Sequence, residues 1–442
     1  MSAARQPEMV LPGGTIGMLG GGQLGRMMAL AARTLGYQVQ TLDPDPACSA
    51  RFVVDQCYTA PFSDAHEAVR MARACDVVTL EIEKIPLATL RAAAEHAPMR
   101  PGASVLEIVQ HRGRQRAWIA RGGFPQGPFR EARSAAELAD AIAALGGRCF
   151  VKSSEGGYDG RGQVTVKGAD EAERAWIAKG GFPQGPFREA RSAAELAEAV
   201  AALGGRCFVK SSEGGYDGRG QVTVKGADEA ERAWKELGGG SVVAEAALDL
   251  QAELSVLVAR SPRGETAVYP PAYNHHEDRI LDWSLLPGQL DPALARSAQD
   301  IARAMADALQ IEGLLVVEMF LLKDGRLLVN ELAPRPHNSF HSTEVACLTS
   351  QFEQAVRAVC NLPLGSVEVV RPAVIVNLLG DLWLREGGPR FAEALALPGV
   401  RLHLYGKREA RVGRKMGHIS ASGKTAEEAI ALVKKARAIL GA

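Results

Sequence analysis

The sequence predicts an α/β protein of several domains. Three observations carry that reading: an N-terminal strand, glycine turn, helix and strand; a glycine-rich loop between two short strands; and a hairpin that sets two glutamates face to face. The chain has 442 residues, enough for two or three domains. It is 47% hydrophobic and 23% charged, as an ordinary globular protein is. Lys plus Arg and Asp plus Glu stand at 51 each, so net charge gives no reason to expect nucleic acid or an anionic membrane. No apolar run reaches the roughly 18 residues of a membrane span. The opening MSAARQPEMVLPGG lacks a signal-peptide core. The cysteines at 48, 57, 75, 149, 207, 347 and 360 show no CxxC pairing and no metal spacing. They read as reduced, mostly buried thiols of a cytoplasmic protein.

Thr15–Gly20 is a short apolar strand that runs into Gly20-Gly21-Gly22-Gln23-Leu24-Gly25, a GxGxxG match. A helix over Arg26–Leu35 and a strand over Gln38–Leu42 follow, with Asp43 at its end. This is the pattern of a dinucleotide fingerprint. Physically it promises an anion at a helix N-terminus, where free N–H groups and the helix dipole favour negative charge. A sugar phosphate meets that need as well as NAD does. Asp76–Ile82 reads as a further strand with Glu81 and Glu83 at its C-terminal end, the ligand edge of an open α/β sheet.

Residues 117–174 recur as 175–232, with only Arg121→Lys, Asp140→Glu and Ile142→Val changed. Solenoids need about three units or more. Two nearly identical copies read instead as a recent tandem duplication or an error in the underlying gene sequence. Each copy holds a helix, a strand CFVK, a loop SSEGGYDGRG and a strand QVTVK. Such a loop can close backbone N–H groups over phosphates, and the lysine ending CFVK (Lys152, Lys210) can contact them as a point charge. The surface turns before this loop outnumber those after it. The second copy, with Lys210 and Gly214–Gly220, is therefore expected to form the lid and to continue into the strand at Ser241–Glu245.

Beyond the repeat, Glu253–Val258 is a strand, and Tyr269–Glu277 holds Asn274, His275 and His276, the histidines being either site residues or solvated residues expected in a loop. Pro292–Leu309 is helical. In Gly313–Ser339 two apolar runs flank Asp324-Gly325, a two-residue turn signal. That register sets Glu318 opposite Glu331. Like charges facing across a sheet destabilise it, so a divalent metal is expected, and Mg²⁺ suits one or two carboxylates plus phosphates. Asn330 adds an oxygen ligand next door, though strand alternation points it to the other face unless the strand end twists. Ser350–Val359 and Ala426–Leu440 are helices and Ala373–Leu379 is a strand. The tail LYGKREARVGRKMGHIS packs five cations, Lys407, Arg408, Arg411, Arg414 and Lys415, into nine residues.

A glycine-rich lid, a lysine before it and paired acids on a later hairpin together resemble the ATP-grasp fold. GGGQLGRM (20–27), EIEKIP (81–86), VKSSEGGYDGRGQ, NELAPRPHNS (330–339), SQFEQAVRAV (350–359) and GRKMGHI (413–419) are similar to the N5-carboxyaminoimidazole ribonucleotide synthetases. The resemblance spans about residues 14–435. It implies a Rossmann-like preATP-grasp domain (1–110), a lid subdomain with the repeat (111–245), an ATP-grasp body with the metal hairpin (246–365) and a small C-terminal domain (366–442). It implies ATP and Mg²⁺ as cofactors, bicarbonate and 5-aminoimidazole ribonucleotide as substrates, and a homodimer, with no nucleic acid and no membrane. By motif, ATP would be held by Arg112, Lys152, Lys210, Gly214, Gly215, Tyr216, Asp217, Gly218, Arg219, Gly220, Glu245, Ala246, Ala247, Leu248, Glu253, His276, Asn330 and Glu331. Glu318 and Glu331 would hold Mg²⁺. Gln23, Leu24, Glu81, Tyr216, Asp217, Arg335, His337, Asn338, Lys407 and Arg414 would hold the ribonucleotide. Arg335, Lys210 and Asp217 would be catalytic.

Three residues depart from the family pattern: His111 before Arg112 where Asp is usual, Lys84 where Asn is usual, and Phe340 in place of a glycine, expected to crowd the site edge. Two other readings remain at this point. One is an NAD-dependent oxidoreductase built on Gly20–Gly25 and Asp43. The other is a nucleotide-binding homologue inactivated by its second lid.

Overall fold

The computed structural model describes residues 8–130, 144–145, 149–152, 163–166, 171–173, 184–185, 207–209, 222–224, 244–246, 249–277 and 280–441. They form two compact units. The first comprises Met1–Gln110, Gln251–His276 and Leu281–Ala442; the second comprises His111–Leu250 and Glu277–Ile280.

The first unit opens with a parallel sheet in the order Gln56–Thr59, Gln38–Asp43, Thr15–Leu19, Val77–Leu80. Val77 to Leu80 are all buried, as a strand covered on both faces must be. The turn after the first strand needs Gly20 at φ +104°. The helix that follows is Gln23–Thr34, three residues longer at its start than the sequence suggested. The extra turn is held from outside the helix: the Glu81 carboxylate accepts from the Gly22 N–H at 2.6 Å and from the Gly25 N–H at 2.8 Å. The expected strand Asp76–Ile82 shortens to Val77–Leu80, which frees Glu81 and Glu83 in the loop beyond its end. The helix buries Leu24, Met27, Met28 and Ala32 in a core shared with Phe352 and Val356 of the helix Gln351–Val359.

The rest of the first unit is built on a nine-stranded sheet. Its order is Leu327–Ala333, Gly313–Leu322, Leu250–Arg260, Ala272–Glu277, Ile280–Leu286, Ala373–Leu379, Lys415–Ser422, Val400–Leu404, with Thr266–Val268 paired to Leu250–Arg260. Residues 250–333 and 373–422 thus share one sheet. His275 and His276, expected in a loop, lie on the strand Ala272–Glu277. Alternation there buries Asn274, which donates to Ser255 Oγ at 2.7 Å and accepts from Ser284 Oγ at 2.9 Å. The helices Pro292–Leu309 and Ala426–Leu440 begin and end as their sequences indicate. Pro292 suits the first helical position and Asp291 caps it, accepting from Ala293 and Leu294 N–H. Phe340 is fully buried and meets Tyr269 edge-on at 6.2 Å, so it packs in the core and does not crowd the site. Of the described cysteines, Cys48 and Cys360 are buried and Cys57, Cys75 and Cys347 are half-buried, all of them free.

In the second unit His111 caps the helix Arg112–Arg121, its Nδ1 accepting from Arg114 N–H at 3.2 Å. It does the job an aspartate does at that position. A four-stranded sheet runs Phe129–Arg130, Ala244–Ala246, Cys149–Lys152, Gln163–Val166. Its repeat strands belong to the first copy. Among the described residues, the second copy's strands Cys207–Val209 and Val222–Val224 pair only with each other. Among the described residues it is thus the first copy's strand that pairs with the strand after the repeat, where the second copy's was expected. The edge strand Phe129–Arg130 is itself first-copy chain and pairs with Ala244–Ala246, so the first CFVK enters the sheet directly downstream of it.

Two outcomes follow for stability. Deleting residues 175–232 should leave a soluble protein whose thermal midpoint matches or exceeds that of the full chain, read by scanning fluorimetry; a fall above roughly 8 °C, more than 1 kcal/mol produces even in a small domain, would show that the second copy is structural. Gly20→Ala should cost about 1–3 kcal/mol through strained backbone, read as a lowered urea midpoint at unchanged m-value.

Candidate active site

The hairpin Gly313–Leu322 and Leu327–Ala333 carries the paired acids. Its turn is Lys323–Gly325, with Gly325 at φ +85°, one residue longer than the Asp324-Gly325 turn expected. Near the turn the pairing is therefore shifted by one, and Met319 pairs with Val329. A bulge then inserts Asn330, and Glu318 stands opposite Glu331. The pairing inferred from the sequence is correct because two one-residue departures cancel. The bulge also corrects the expected orientation of Asn330. An inserted residue breaks strand alternation, and Asn330 Nδ2 lies 3.4 Å from Glu318 Oε2. Asn330 Oδ1 is buried without a hydrogen-bond partner. His337 Nε2 stands 3.0 Å from Glu318 Oε1. Across the sheet, His276 Nδ1 stands 3.1 Å from Glu253 Oε2. Burial opposes a charge on His276, yet the Glu253 contact, with Glu318 beyond, raises its pKa above the ordinary histidine value.

The segment 335–339 lies beside this hairpin. Arg335 Nε pairs with Glu83 Oε1 at 2.7 Å. Gln351 holds the backbone of His337 at both ends: its Oε1 accepts from His337 N–H at 2.9 Å and its Nε2 donates to His337 O at 2.9 Å. His337 Nδ1 and Ser339 Oγ are 2.7 Å apart. Asn338 is 8% exposed, and neither its Nδ2 nor its Oδ1 has a hydrogen-bond partner. An unsatisfied buried polar group costs about 1–3 kcal/mol, so this amide is suited to a ligand that satisfies it.

At the glycine turn, the anion at the helix N-terminus is the Glu81 carboxylate itself. Burial pushes its pKa up against the pull of the Gly25 and Gly22 amides. Asp43 Oδ2 accepts from Gly21 N–H at 2.7 Å and Oδ1 from Asp45 N–H at 2.8 Å. The acid that completes the dinucleotide fingerprint is thus committed to holding the turn. Lys407 Nζ donates to Gln23 Oε1 at 3.0 Å and to Lys415 O at 2.6 Å, so the basic tail and the glycine turn meet. Leu24 turns its side chain into the core. Arg414 is half-buried and donates to Glu409 O at 2.8 Å.

In the second unit, Arg112 opens a helix, Lys152 ends a sheet strand, and Glu245 and Ala246 lie on the strand paired with it. Lys210, Gly214, Gly215, Tyr216, Asp217, Gly218, Arg219, Gly220, Ala247 and Leu248 lie outside the described residues. Sequence reasoning missed Gln351 as the clamp on His337 and Glu83 as the partner of Arg335. Both sit inside motifs already singled out, SQFEQAVRAV and EIEKIP, but their partners are set by tertiary packing.

Three family models match the chain: the ribonucleotide synthetase preATP-grasp domain at 14–110, the ATP-grasp domain at 118–181 and again at 177–352, and the phosphoribosylaminoimidazole carboxylase C-terminal domain at 373–432. The N5-carboxyaminoimidazole ribonucleotide synthase of Bacillus subtilis is 36% identical over 414 residues, covering 93% of this chain and 92% of the relative. That of Brucella melitensis is 34% identical over 409 residues, covering 92% and 96%. A crystal structure of an N5-carboxyaminoimidazole ribonucleotide synthetase in complex with ADP matches with a TM-score of 0.78 at 35% identity, covering 97% of this chain and 98% of that one. The Aspergillus clavatus enzyme, in complex with ADP and 5-aminoimidazole ribonucleotide, matches with a TM-score of 0.74 at 28% identity, covering 97% and 99%. With its paired acids, its glycine turn and its basic tail all in place, the chain belongs to the N5-carboxyaminoimidazole ribonucleotide synthase family of ATP-grasp ligases.

Proposed function

We propose that this protein carboxylates 5-aminoimidazole ribonucleotide with bicarbonate at the expense of ATP, giving N5-carboxyaminoimidazole ribonucleotide, ADP and phosphate in purine biosynthesis. The observation that supports it most directly is the Glu318–Glu331 pair with the orphaned Asn330 Oδ1 beside it. Two carboxylates and an amide oxygen make a hard, all-oxygen donor set, which fits Mg²⁺. Bound there, Mg²⁺ would supply charge neutralisation to the phosphate oxygens of ATP. Glu253, His276, Asn330 and Glu331 of the first unit and Arg112, Lys152, Glu245 and Ala246 of the second are the described residues assigned to the nucleotide. Bicarbonate takes the γ-phosphoryl group and ADP leaves; the aminoimidazole amine then attacks the carboxyl carbon of the resulting carboxyphosphate and phosphate departs.

On the acceptor side, Asn338 offers a donor and an acceptor from one buried amide, and Arg335, braced by Glu83, offers a fixed cation. Lys407, held on Gln23, and Arg414 suit the 5′-phosphate. His337 and Glu81 are part of the same assignment, with Glu81 exchanging amide contacts for ribose hydroxyls when the ligand enters. A cytoplasmic homodimer belongs to the same reading and rests on the family resemblance.

The test is ADP release measured with each candidate acceptor. Glu318→Gln and Glu331→Gln should each abolish Mg²⁺-dependent ADP formation, a loss of at least a hundredfold, while the circular dichroism spectrum is retained; turnover near that of the parent in both would sink the paired-ligand reading. Lys407→Ala should raise KM for the ribonucleotide about tenfold or more and leave KM for ATP within a factor of about two, consistent with loss of one charge-assisted contact. An equal effect on ATP would place the tail elsewhere. Because the first copy fills the sheet, Lys152→Ala should impair ATP use more than Lys210→Ala; the reverse ranking in KM for ATP would assign the lid to the second copy.

A further inference from the structure

A cluster of titratable side chains lies on the C-terminal hairpin and the short helix beside it, none of them assigned to substrates. His403 and His418 face each other directly across the strands Val400–Leu404 and Lys415–Ser422. Their rings are stacked at 4.7 Å and only 9° from parallel. Glu344, on the short helix Thr343–Ala346, brings its Oε2 to 3.4 Å from His403 Nε2. The ligand-capable atoms of Glu344, His403 and His418 all lie within 4.8 Å of one another.

Two observations separate this cluster from an ordinary buried histidine stack. His418 is fully buried and its Nε2 has no hydrogen-bond partner. Glu344 Oε2 is buried and equally without a hydrogen bond. Two buried polar atoms without a hydrogen bond cost about 1–3 kcal/mol each unless something joins them. The other nitrogen of His418 is accounted for: Nδ1 and the buried Tyr405 Oη are 2.9 Å apart. With the Nδ1 proton donated to Tyr405, the ring is fixed and Nε2 keeps its lone pair, the arrangement that surrounds metal-ligating histidines.

We propose that Glu344, His403 and His418 form a binding site for a divalent first-row transition ion, with Zn²⁺ the best match. Two imidazole nitrogens and one carboxylate are a donor set that Zn²⁺ takes with a fourth position left for water. Burial holds both imidazoles in the neutral form that a ligand requires. Tetrahedral Zn²⁺ sets its ligand atoms roughly 3.3 Å apart, so binding draws the three side chains inward. His403 and Glu344 are part-exposed, 30% and 25%, which gives the ion a way in. Burial raises the Glu344 pKa to about 7 against the pull of Arg401, whose charge also opposes a cation at the site. His341 stacks on the far side of His418 at 4.6 Å but is not a ligand, because its Nδ1 accepts from Gln351 Nε2 and its Nε2 therefore carries the proton. The ion would tie the helix that follows the 335–339 segment to the hairpin whose connection carries the basic tail.

The full chain, kept in millimolar Mg²⁺ so that the Glu318–Glu331 pair is occupied, is titrated with Co²⁺ and followed by visible absorption, then back-titrated with Zn²⁺. The expected result is one equivalent of four-coordinate cobalt with intense visible bands, displaced by Zn²⁺ and weakened at least tenfold in both His403→Ala and Glu344→Ala. The two variants replace part-exposed side chains, and their metal-free thermal midpoints serve as the check on folding. No saturable band in the parent, or titrations unchanged in either variant, would overturn the site.

Discussion

Two carboxylates face each other across the hairpin at the edge of the large sheet, and much of the candidate site is arranged around that fact. At roughly 5 Å and an effective dielectric near 20, two full charges repel by about 3 kcal/mol. The structure answers with groups that can donate to them. His337 reaches Glu318, and Asn330 reaches it from the same strand as Glu331. His337 can do so because Gln351 grips its backbone from the helix Gln351–Val359, and that helix packs on the one that starts at the glycine turn. Charge compensation at one sheet position thus fixes the segment 335–339 and, through it, the spacing between the acids and the turn.

The glycine turn solves a related problem with the opposite sign. A helix start exposes N–H groups that need an acceptor, and Glu81 supplies one from inside the protein. Asp43 does the same for Gly21. Both acids are nearly buried, each at 9% exposure, so the turn is shaped by its own carboxylates before any ligand arrives. Buried Arg100 completes the frame, donating to Val359 O at 2.6 Å and pairing with Glu312 at 3.1 Å. Losing one partner of such a pair leaves a buried charge uncompensated.

Local chemistry made much of this legible. Caps and periodicity gave the bounds of Pro292–Leu309 and Ala426–Leu440, and apolar runs gave most strands. The pairing of Glu318 with Glu331 was legible by arithmetic, although neither the three-residue turn nor the bulge was. What escaped depends on partners distant in sequence. Gln351 looked like one polar residue of an amphipathic helix, and nothing nearby marks it as a clamp. Asp43 looked like a ligand contact because its spacing suits one; only the fold shows it bonded to Gly21. Phe340 looked out of place because the pattern it breaks says nothing about the room left beside Tyr269. The choice between repeat copies was not legible at all from strand sequences that are the same in both.

Asn330 has a consequence for how such a site can arise. In the pairing of the two strands it counts for nothing: Glu318 and Met319 find Glu331 and Val329 on either side of it. A chain without it would close the same ladder with the same partners. The third oxygen therefore stands in the sheet as a bulged residue, outside the inward and outward alternation of its neighbours. A bulge of this kind lets a strand present one more polar group at a site while the pairing on either side of it stays in step, which a side chain bound by the two-residue repeat of the pleat does not offer.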